Sequence, residues 1–220
     1  MITIALVDDH QLFRKSLSAL LNTMEDLAVI YDTDNGVDLL DFLTDKSLDI
    51  VLLDIQMPLM DGYELCKLLR SRFPNVKVLI VSQLNGIEAV HKVMELGAHG
   101  FFSKNSPPEQ LETAIKSIME KDYYFDFELS AVLREAILWE KKVPANSFIL
   151  DNLNFSKREL EIIILSCKEF TSKEIAGQLF ISVRTVEKHR DHIMEKANAK
   201  NFIGAILLAL KREFISLDDF

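Results

Sequence analysis

The chain has 220 residues, of which 49% are hydrophobic and 27% charged, and it carries a formal net charge of −9 at pH 7. This composition is ordinary for a globular protein, and no apolar stretch reaches the roughly 20 residues needed to span a bilayer, so no membrane span is expected. Two cysteines, Cys66 and Cys167, are too few and too far apart in sequence for a disulfide framework or a zinc site. Together with a start that lacks the basic region of a signal peptide, they favour a cytoplasmic protein.

The charge is distributed unevenly along the chain. Residues 1–146 contain 14 Lys and Arg against 23 Asp and Glu, whereas residues 147–220 contain 11 of each class. The whole acidic excess therefore belongs to the first part. An acidic chain is a poor general ligand for polyanions, so any contact with nucleic acid is expected to be local and to depend on dimerisation.

Five apolar runs without polar alternation predict buried parallel strands in the first part of the chain. They lie at about 2–7, 28–31, 50–53, 78–81 and 100–102. Between them, apolar residues recur at helical spacing, as in Phe13, Leu17 and Leu21. Strand and helix alternate five times, which predicts a doubly wound α/β domain with a five-stranded parallel sheet over residues 1–120.

Polar side chains stand where four of these strands are predicted to end. Asp8 and Asp9 follow the first run, Asp54 the third, Ser82 the fourth and Lys104 the fifth. In an open parallel sheet, the carboxyl ends of the strands form the edge where ligands bind. The pattern therefore predicts one site assembled from four strands.

Residues 121–146 are interpreted as a partly ordered linker. A helical segment is predicted from Ser130 to Lys142, and the run from Val143 to Ser147 breaks it. Trp139 in this segment is expected to pack within the linker rather than to contact a ligand.

Beyond the linker, residues 147–220 are predicted to be entirely helical. Ser156 with Glu159, and Thr171 with Glu174, have the spacing of capping boxes. The apolar faces that follow them consist of Leu160, Ile163, Ile164 and Cys167 in the first helix, and of Ile175, Ala176 and Leu179 in the second.

Two further helices are predicted after the tight link that ends in Ser182. Ser182 is expected to cap a third helix that continues to about Ala197, and Asn201 a fourth that continues to about Lys211. A short second helix, a tight link and a longer third helix match a helix-turn-helix.

With these motifs, the chain resembles a two-component response regulator of the NarL/FixJ type, in which a flavodoxin-like receiver domain precedes a LuxR-type helix-turn-helix. The receiver motifs are Asp8-Asp9, Asp54, Met57-Pro58-Leu59-Met60-Asp61-Gly62, Ser82, Gly97-Ala98-His99-Gly100-Phe101 and Lys104. The C-terminal motifs are Ser156-Lys-Arg-Glu159, Ser172-Lys-Glu-Ile-Ala176, Leu179-Phe-Ile-Ser182 and Thr185-Val-Glu-Lys-His189. All of them occur in order at family spacing, so the resemblance covers nearly the whole chain.

Three carboxylates that converge within about 4–5 Å repel each other by several kcal/mol per pair, so the predicted site requires a compensating cation. Oxygen ligands at strand ends suit Mg²⁺. The resemblance implies that Asp9 and Asp54 bind this ion together with the backbone carbonyl of Gln56, and that Asp8 acts through water.

The resemblance also implies that Asp54 accepts a phosphoryl group from a histidine kinase. Lys104 and Mg²⁺ would neutralise charge on the phosphoryl oxygens. Ser82 is implied as the switch hydroxyl that binds the phosphoryl group. Phe101 stands at the position of the switch aromatic, where its movement depends on packing because phenylalanine has no hydroxyl.

On the third C-terminal helix, Val186, Ile193 and Ala197 are predicted to face the core. In the family, this helix enters the major groove of double-stranded DNA. The implied DNA-contacting residues are Lys173, Arg184, Thr185, Glu187, Lys188, Asp191 and Lys200. Lys188 suits guanine and Glu187 suits cytosine, whereas Asp191 replaces the basic residue that family members often carry and makes this surface less positive.

The sequence thus predicts a transcriptional regulator, not an enzyme, that binds DNA as a homodimer when Asp54 is phosphorylated. Two alternatives remain. The acidic residues Glu187, Asp191 and Glu195 are also compatible with an output domain that binds protein instead of DNA. A phosphoaspartate phosphatase of the haloacid-dehalogenase type has a second carboxylate two residues after its nucleophile; here that position is Gln56, which argues against this class.

Overall fold

The computed structural model describes residues 1–83, 87–124, 154–168, 170–216 and 219, without the side chains of residues 87, 88, 90 and 91. The helix predicted from Ser130 to Lys142, with Trp139, lies outside the described residues. Within them, no helix combines the length and the apolar character needed to cross a bilayer.

The N-terminal part contains one five-stranded sheet whose neighbouring strands are all parallel. The strands are β1 (Ile2–Val7), β2 (Leu27–Thr33), β3 (Ile50–Leu53), β4 (Lys77–Ser82) and β5 (Gly100–Ser103). Their spatial order is β2-β1-β3-β4-β5. This order confirms the predicted doubly wound fold and places the topological switch point between β1 and β3, where such folds bind ligands.

Five helices cover the two faces of this sheet. They are α1 (Gln11–Leu21), α2 (Gly36–Asp45), α3 (Gly62–Arg72), α4 (Ile87–Leu96) and α5 (Glu109–Lys121). Because side chains alternate along a strand, Ile4 and Leu6 of β1 pack into a core with α1 and α5, whereas Ala5 and Val7 pack into the core on the opposite face. The sheet is therefore buried on both sides, and its strand ends are free to form a site.

The C-terminal part is helical, as predicted. Its helices are α6 (Lys157–Cys167), α7 (Ser172–Leu179), α8 (Val183–Ala197) and α9 (Phe202–Lys211). Both predicted capping boxes are present, and Ser182 and Asn201 cap α8 and α9 by accepting hydrogen bonds from backbone N–H groups. The capping side chains lie at the positions predicted from the sequence, so each helix starts where it was expected.

The predicted apolar face of α6 packs in or against the core, but the prediction was incomplete. The fully buried residues are Ile162 and Ile163, whereas Leu160, Ile164 and Cys167 are only partly buried. The buried face also includes Glu159, whose carboxylate lies 2.7 Å from the Lys196 ammonium. Four consecutive apolar residues, 162–165, leave the helical period ambiguous, so the packing against α8 decides which of them are buried.

Candidate phosphoacceptor site and nucleic-acid interface

The acidic residues predicted at the strand ends converge at the switch point of the sheet. Asp8 and Asp9 follow β1, and Asp54 follows β3, which pairs with β1. One ligand atom from each of these carboxylates, with one nitrogen of His10, falls in a group whose members all lie within 4.8 Å of one another. Asp8 and Asp54 are buried, at 5% and 3% exposure. The structure thus brings the three predicted carboxylates together.

Lys104 extends from the end of β5 into this acidic pocket. Its Nζ atom lies 2.6 Å from Oδ2 of Asp8 and 2.7 Å from Oδ2 of Asp54. It also lies 4.6 Å from the centre of the Phe13 ring, which covers it from α1. Burial lowers the pKa of Lys104, but the hydrogen bonds to Asp54 and Asp8 outweigh burial and raise the pKa above its ordinary value. The ammonium therefore stays charged between two carboxylates.

The acidic pocket fits a divalent cation. Oδ1 of Asp9 is buried without a hydrogen-bond partner among the described residues, although Nδ1 of His10 lies only 2.9 Å away. One ammonium cannot neutralise three carboxylates, so the pocket keeps an excess of negative charge. The backbone N–H of Gln56 donates to Oδ1 of Asp54 at 3.3 Å, which holds the Gln56 peptide beside the acids. Hard oxygen atoms in this number are typical ligands of Mg²⁺.

The loop between Asp54 and α3 is held tightly against the backbone of Asp54. The N–H of Gly62 donates to the carbonyl of Ile55 at 2.9 Å, and the Asp61 side chain caps α3 by accepting from the N–H of Glu64. A Cβ atom added at Gly62 would overlap the backbone carbonyl of Asp54 and lie 2.6 Å from Cα of Ile55. Glycine at position 62 is therefore required for this close approach.

Ser82 and Phe101 lie on the two strands beyond β3. Ser82 ends β4 and is fully buried, and its carbonyl accepts from the N–H of Lys104 at 2.9 Å. Phe101 lies in β5, pairs with Ile80 and is 4% exposed. In this arrangement the Phe101 ring belongs to the core, and Ser82 stands at the strand end between Asp54 and Lys104.

The predicted DNA-contacting residues occupy two parts of the C-terminal domain. Lys173 lies in the first turn of α7, and five others lie on α8: Arg184, Thr185, Glu187, Lys188 and Asp191. All six are exposed except Thr185, which is partly exposed and whose hydroxyl lies 2.8 Å from that of Ser182. Lys200 is different, because its carbonyl accepts from Arg70 of α3 at 3.3 Å and its backbone lies beside the receiver.

Arg190 on α8 was not predicted from the sequence. Arg190 is 5% exposed, and Val186, Arg190, Ile193 and Ala197 form the buried face of the helix. Its guanidinium donates to the carbonyl of Lys121 at 3.0 Å and to the hydroxyls of Ser172 and Ser166 at 2.9 and 3.1 Å. Arg190 lies four residues after Val186 and three before Ile193, a spacing that indicates burial on the same helix face. Because arginine is charged, it is normally assigned to the surface.

Two family models match this chain over most of its length. A model described as the response regulator receiver domain matches residues 4–116, and one described as bacterial regulatory proteins of the luxR family matches residues 153–209. The chain belongs to the LuxR-type response regulators. Its two parts are a receiver domain and a LuxR-type DNA-binding domain, and the protein is a regulator and not an enzyme.

Relatives of this response regulator match it almost from end to end. The oxygen regulatory protein NreC of Staphylococcus epidermidis is 34% identical over 214 residues, which cover 96% of this chain and 98% of the relative. NreC of Staphylococcus carnosus is 33% identical over 213 residues, with the same coverage of 96% and 98%. The similarity to NreC therefore extends over both domains of this chain.

Solved structures of similar fold include chains that match nearly all of this one. RcsB from Salmonella enterica serovar Typhimurium, bound to promoter rprA in the presence of the phosphomimetic BeF₃⁻, has a TM-score of 0.57 at 21% identity and covers 98% of this chain and 100% of its own. A two-component response regulator of the LuxR family from Aurantimonas sp. SI85-9A1 has a TM-score of 0.59 at 24% identity, covering 63% of this chain and 99% of its own. At these identities, the similarity concerns the fold of the response regulator alone.

Proposed function

We propose that Asp54 accepts a phosphoryl group from the phosphohistidine of a histidine kinase and that this modification controls the binding of a homodimer to promoter DNA. The observation that carries the proposal is the position of Lys104, whose ammonium joins Asp8 and Asp54 at the switch point. A preorganised cation beside a carboxylate nucleophile is suited to stabilise charge on a transferred phosphoryl group.

In the proposed reaction, a carboxylate oxygen of Asp54 forms a P–O bond while the P–N bond to the kinase histidine breaks and its electron pair remains on the imidazole. Asp9, Asp54 and the carbonyl of Gln56 would hold Mg²⁺, and Asp8 would act through water. When bound, Mg²⁺ neutralises charge on the phosphoryl oxygens. Lys104 donates to one of these oxygens in place of Asp54.

Two residues on the neighbouring strands would couple phosphorylation of Asp54 to a change in the surface of the receiver. Ser82 is at the end of β4, where its hydroxyl can donate to a phosphoryl oxygen, and Phe101 is buried in the adjacent strand. Because Phe101 has no hydroxyl, its rearrangement depends on packing against α4 and β4. The face formed by α4, β5 and α5 would then change and promote dimerisation.

The exposed surface of α8 supports contact with the major groove of double-stranded DNA. Arg184 and Lys188 on α8, with Lys173 on α7, supply positive charge, whereas Glu187 and Asp191 on α8 oppose it. Lys200, whose backbone lies beside the receiver, is also assigned a contact with a DNA phosphate. With so few net charges, each protomer binds weakly, and a dimer on a two-fold site gains affinity. We assign the protein to the cytoplasm, where a kinase and DNA are both accessible.

The proposal is tested with the full chain, Mg²⁺ and acetyl phosphate as phosphodonor. Mass spectrometry should detect one added phosphoryl group on the wild type and on Asp41→Asn, an exposed carboxylate control on α2. Asp54→Asn should remain unmodified, and its binding to duplex DNA should not respond to the phosphodonor. A phosphodonor response of Asp54→Asn equal to that of the wild type would overturn the proposal.

A further inference from the structure

The receiver and the DNA-binding domain are packed together through specific buried contacts. The apolar core that includes Ala98 and Tyr123 of the receiver side continues into Phe202 and Ile203 of α9. The hydroxyl of Tyr123 donates to the carbonyl of Ser166 at 2.6 Å. A Cβ atom added at Gly97 would lie 3.1 Å from Cβ of Lys200, so the backbones approach closely. The two domains form one packed unit along this boundary.

Asn201 joins the domains with both ends of its carboxamide. Its oxygen accepts from the N–H of Gly204 at 2.7 Å and caps the first turn of α9. Its nitrogen donates to the carbonyl of Ala98, just beyond α4, and at 3.5 Å to that of Met94, which also accepts from the N–H of Gly97 at 3.0 Å. The residue is 2% exposed. One side chain therefore caps the start of a helix in one domain and donates to carbonyls at and just beyond the end of a helix in the other.

Arg190 makes a second connection between the domains. Its guanidinium donates to the carbonyl of Lys121, the last residue of α5, where the helix dipole presents negative partial charge. It lies over two aromatic rings, 5.7 Å from the centre of Tyr123 and 5.0 Å from that of Phe202. Within the described residues, Arg190 forms no hydrogen bond or ion pair with a carboxylate. Carbonyl, hydroxyl and aromatic groups from both domains together stabilise this buried charge.

These contacts define a docking side of the DNA-binding domain, formed by Arg190, Asn201 and Phe202. The DNA-facing side is defined by Arg184, Lys188 and Asp191. Successive residues of an α-helix are about 100° apart, so these three lie roughly 100–160° around α8 from Arg190. All three are exposed while Arg190 is buried. The receiver therefore packs against α8 without covering the DNA-facing side.

We propose that this response regulator binds DNA with its two domains still docked, and that Asn201 and Arg190 hold that docked arrangement. The inference rests on the proposed function, because it assumes that α8 enters the major groove. Phosphorylation would then act by pairing docked protomers rather than by releasing a covered DNA-binding surface. The docked unit would also fix the distance between the two α8 helices of a dimer, which sets the spacing of the half-sites.

Hydrogen exchange of the full chain tests whether docking persists on DNA. The probe is a duplex isolated from a random-sequence library with the full chain treated with BeF₃⁻. Amide exchange is measured in residues 94–99 and 118–124, at the boundary on the receiver side. Exchange that is equal or slower in the complex supports the proposal. Faster exchange in either segment on DNA binding would show that the domains separate, and would overturn it.

Two variants test the assigned residues. Asn201→Asp keeps an acceptor that caps α9 but loses both donors to α4, and Arg190→Met removes the buried cation. Arg158→Met serves as the control, because within the described residues the side chain of Arg158 hydrogen-bonds to Glu161 and Leu179 of its own domain. Both test variants should speed exchange in residues 94–99 or 118–124, whereas the control should not. Unchanged exchange in both variants would refute the assignment.

The affinities of the same variants separate this inference from simple autoinhibition. If docking leaves the DNA-facing side uncovered, Asn201→Asp and Arg190→Met should bind the duplex with a Kd equal to or higher than that of the wild type. A Kd more than about threefold lower in either variant would indicate that docking inhibits binding, and would contradict the proposal. If neither the wild type nor any variant binds a duplex, the proposed function itself fails.

Discussion

Lys104 and Asp54 lie at the ends of strands that are not neighbours, yet Nζ of one is 2.7 Å from Oδ2 of the other. β4 separates their strands, so the lysine reaches across the strand end that carries Ser82. The Lys104 side chain is 6% exposed and that of Asp54 is 3% exposed. The contact places a cation beside the carboxylate that we propose as the phosphoacceptor.

Replacing Lys104 by Met should have opposite effects on metal binding and on phosphoryl transfer. Without the ammonium, Asp8 and Asp54 lose a competitor and the pocket gains negative charge, so Mg²⁺ should bind about tenfold more tightly. Phosphorylation by acetyl phosphate should slow by about a hundredfold because the cation that stabilises the transition state is absent. Calorimetry and mass spectrometry measure the two effects. Lys67→Met, an exposed lysine on α3, should change neither, and weaker Mg²⁺ binding by Lys104→Met would contradict the expectation.

Gly62 and Gly177 form a matched pair for testing the loop beside Asp54. Gly62→Ala should lower the free energy of unfolding by about 1–3 kcal/mol, because the new methyl group overlaps the Asp54 carbonyl and the backbone of Ile55. Gly177→Ala should raise it by about 0.5–1 kcal/mol, since the position is within α7 and no atom lies within 4 Å of the added Cβ. Urea unfolding measures both. An equal change in the two variants would show that the loop yields to the methyl group.

His99 should make the protein less stable at mildly acidic pH. Burial, followed by the charges of Arg70 and Lys77, lowers the pKa of His99 well below its ordinary value, and its Nδ1 accepts from the N–H of Val78 at 3.0 Å. The carboxylate of Asp122, 4.0 Å from Nε2, also faces the ring. Below pH about 6.5, the unfolded chain binds a proton that the folded chain excludes, so stability falls there and is unaffected above it.

His99→Asn should therefore flatten the pH dependence of the free energy of unfolding below pH about 6.5. The slope should decrease by up to about 1.4 kcal/mol per pH unit, which corresponds to one proton. Urea unfolding at a series of pH values supplies the measurement. His192→Asn, at an exposed position of α8, is the control and should keep the slope of the wild type. A wild-type slope in His99→Asn would mean that other groups account for any acid sensitivity.

Asp191→Lys should strengthen binding to random-sequence duplex DNA if α8 lies in the groove. The change replaces a negative charge by a positive one, which raises the net charge of each protomer by two, and a new phosphate contact steepens the dependence of log K on log salt by about 0.9. Fluorescence anisotropy over a salt series measures affinity and slope together. Glu25→Lys makes the same change in net charge on the receiver. If both variants bind equally more tightly, net charge rather than the position on α8 is responsible.

The receiver fold and the position of its acidic site were predictable because both depend on local patterns. Apolar runs fix where β1 and β3 end, and parallel strands in a doubly wound sheet direct those ends to one edge. Asp8, Asp9, Asp54 and Lys104 therefore converge as predicted. The roles assigned to them, including the metal ligands and the switch residues, remain predictions that the experiments above test.

The boundary between the domains could not be predicted in the same way. Arg190 has the helical spacing of a core residue, but a guanidinium is normally assigned to the surface, and its partners Lys121 and Tyr123 are 69 and 67 residues away in sequence. Asn201 was predicted as a helix cap, which it is, but the sequence gives no sign that its amide nitrogen reaches α4. Contacts of this kind are identified only in the folded structure, where segments that are distant in sequence lie side by side.

The partners of Arg190 limit how this protein can be recombined with others. A chimera that attaches this DNA-binding domain to an unrelated receiver would bury a guanidinium without the carbonyl of Lys121 and the ring of Tyr123. A fusion point placed ahead of α5, so that α5 and the residues up to Tyr124 stay with their own DNA-binding domain, would preserve both contacts. The transferable module of this regulator is thus larger than its four C-terminal helices.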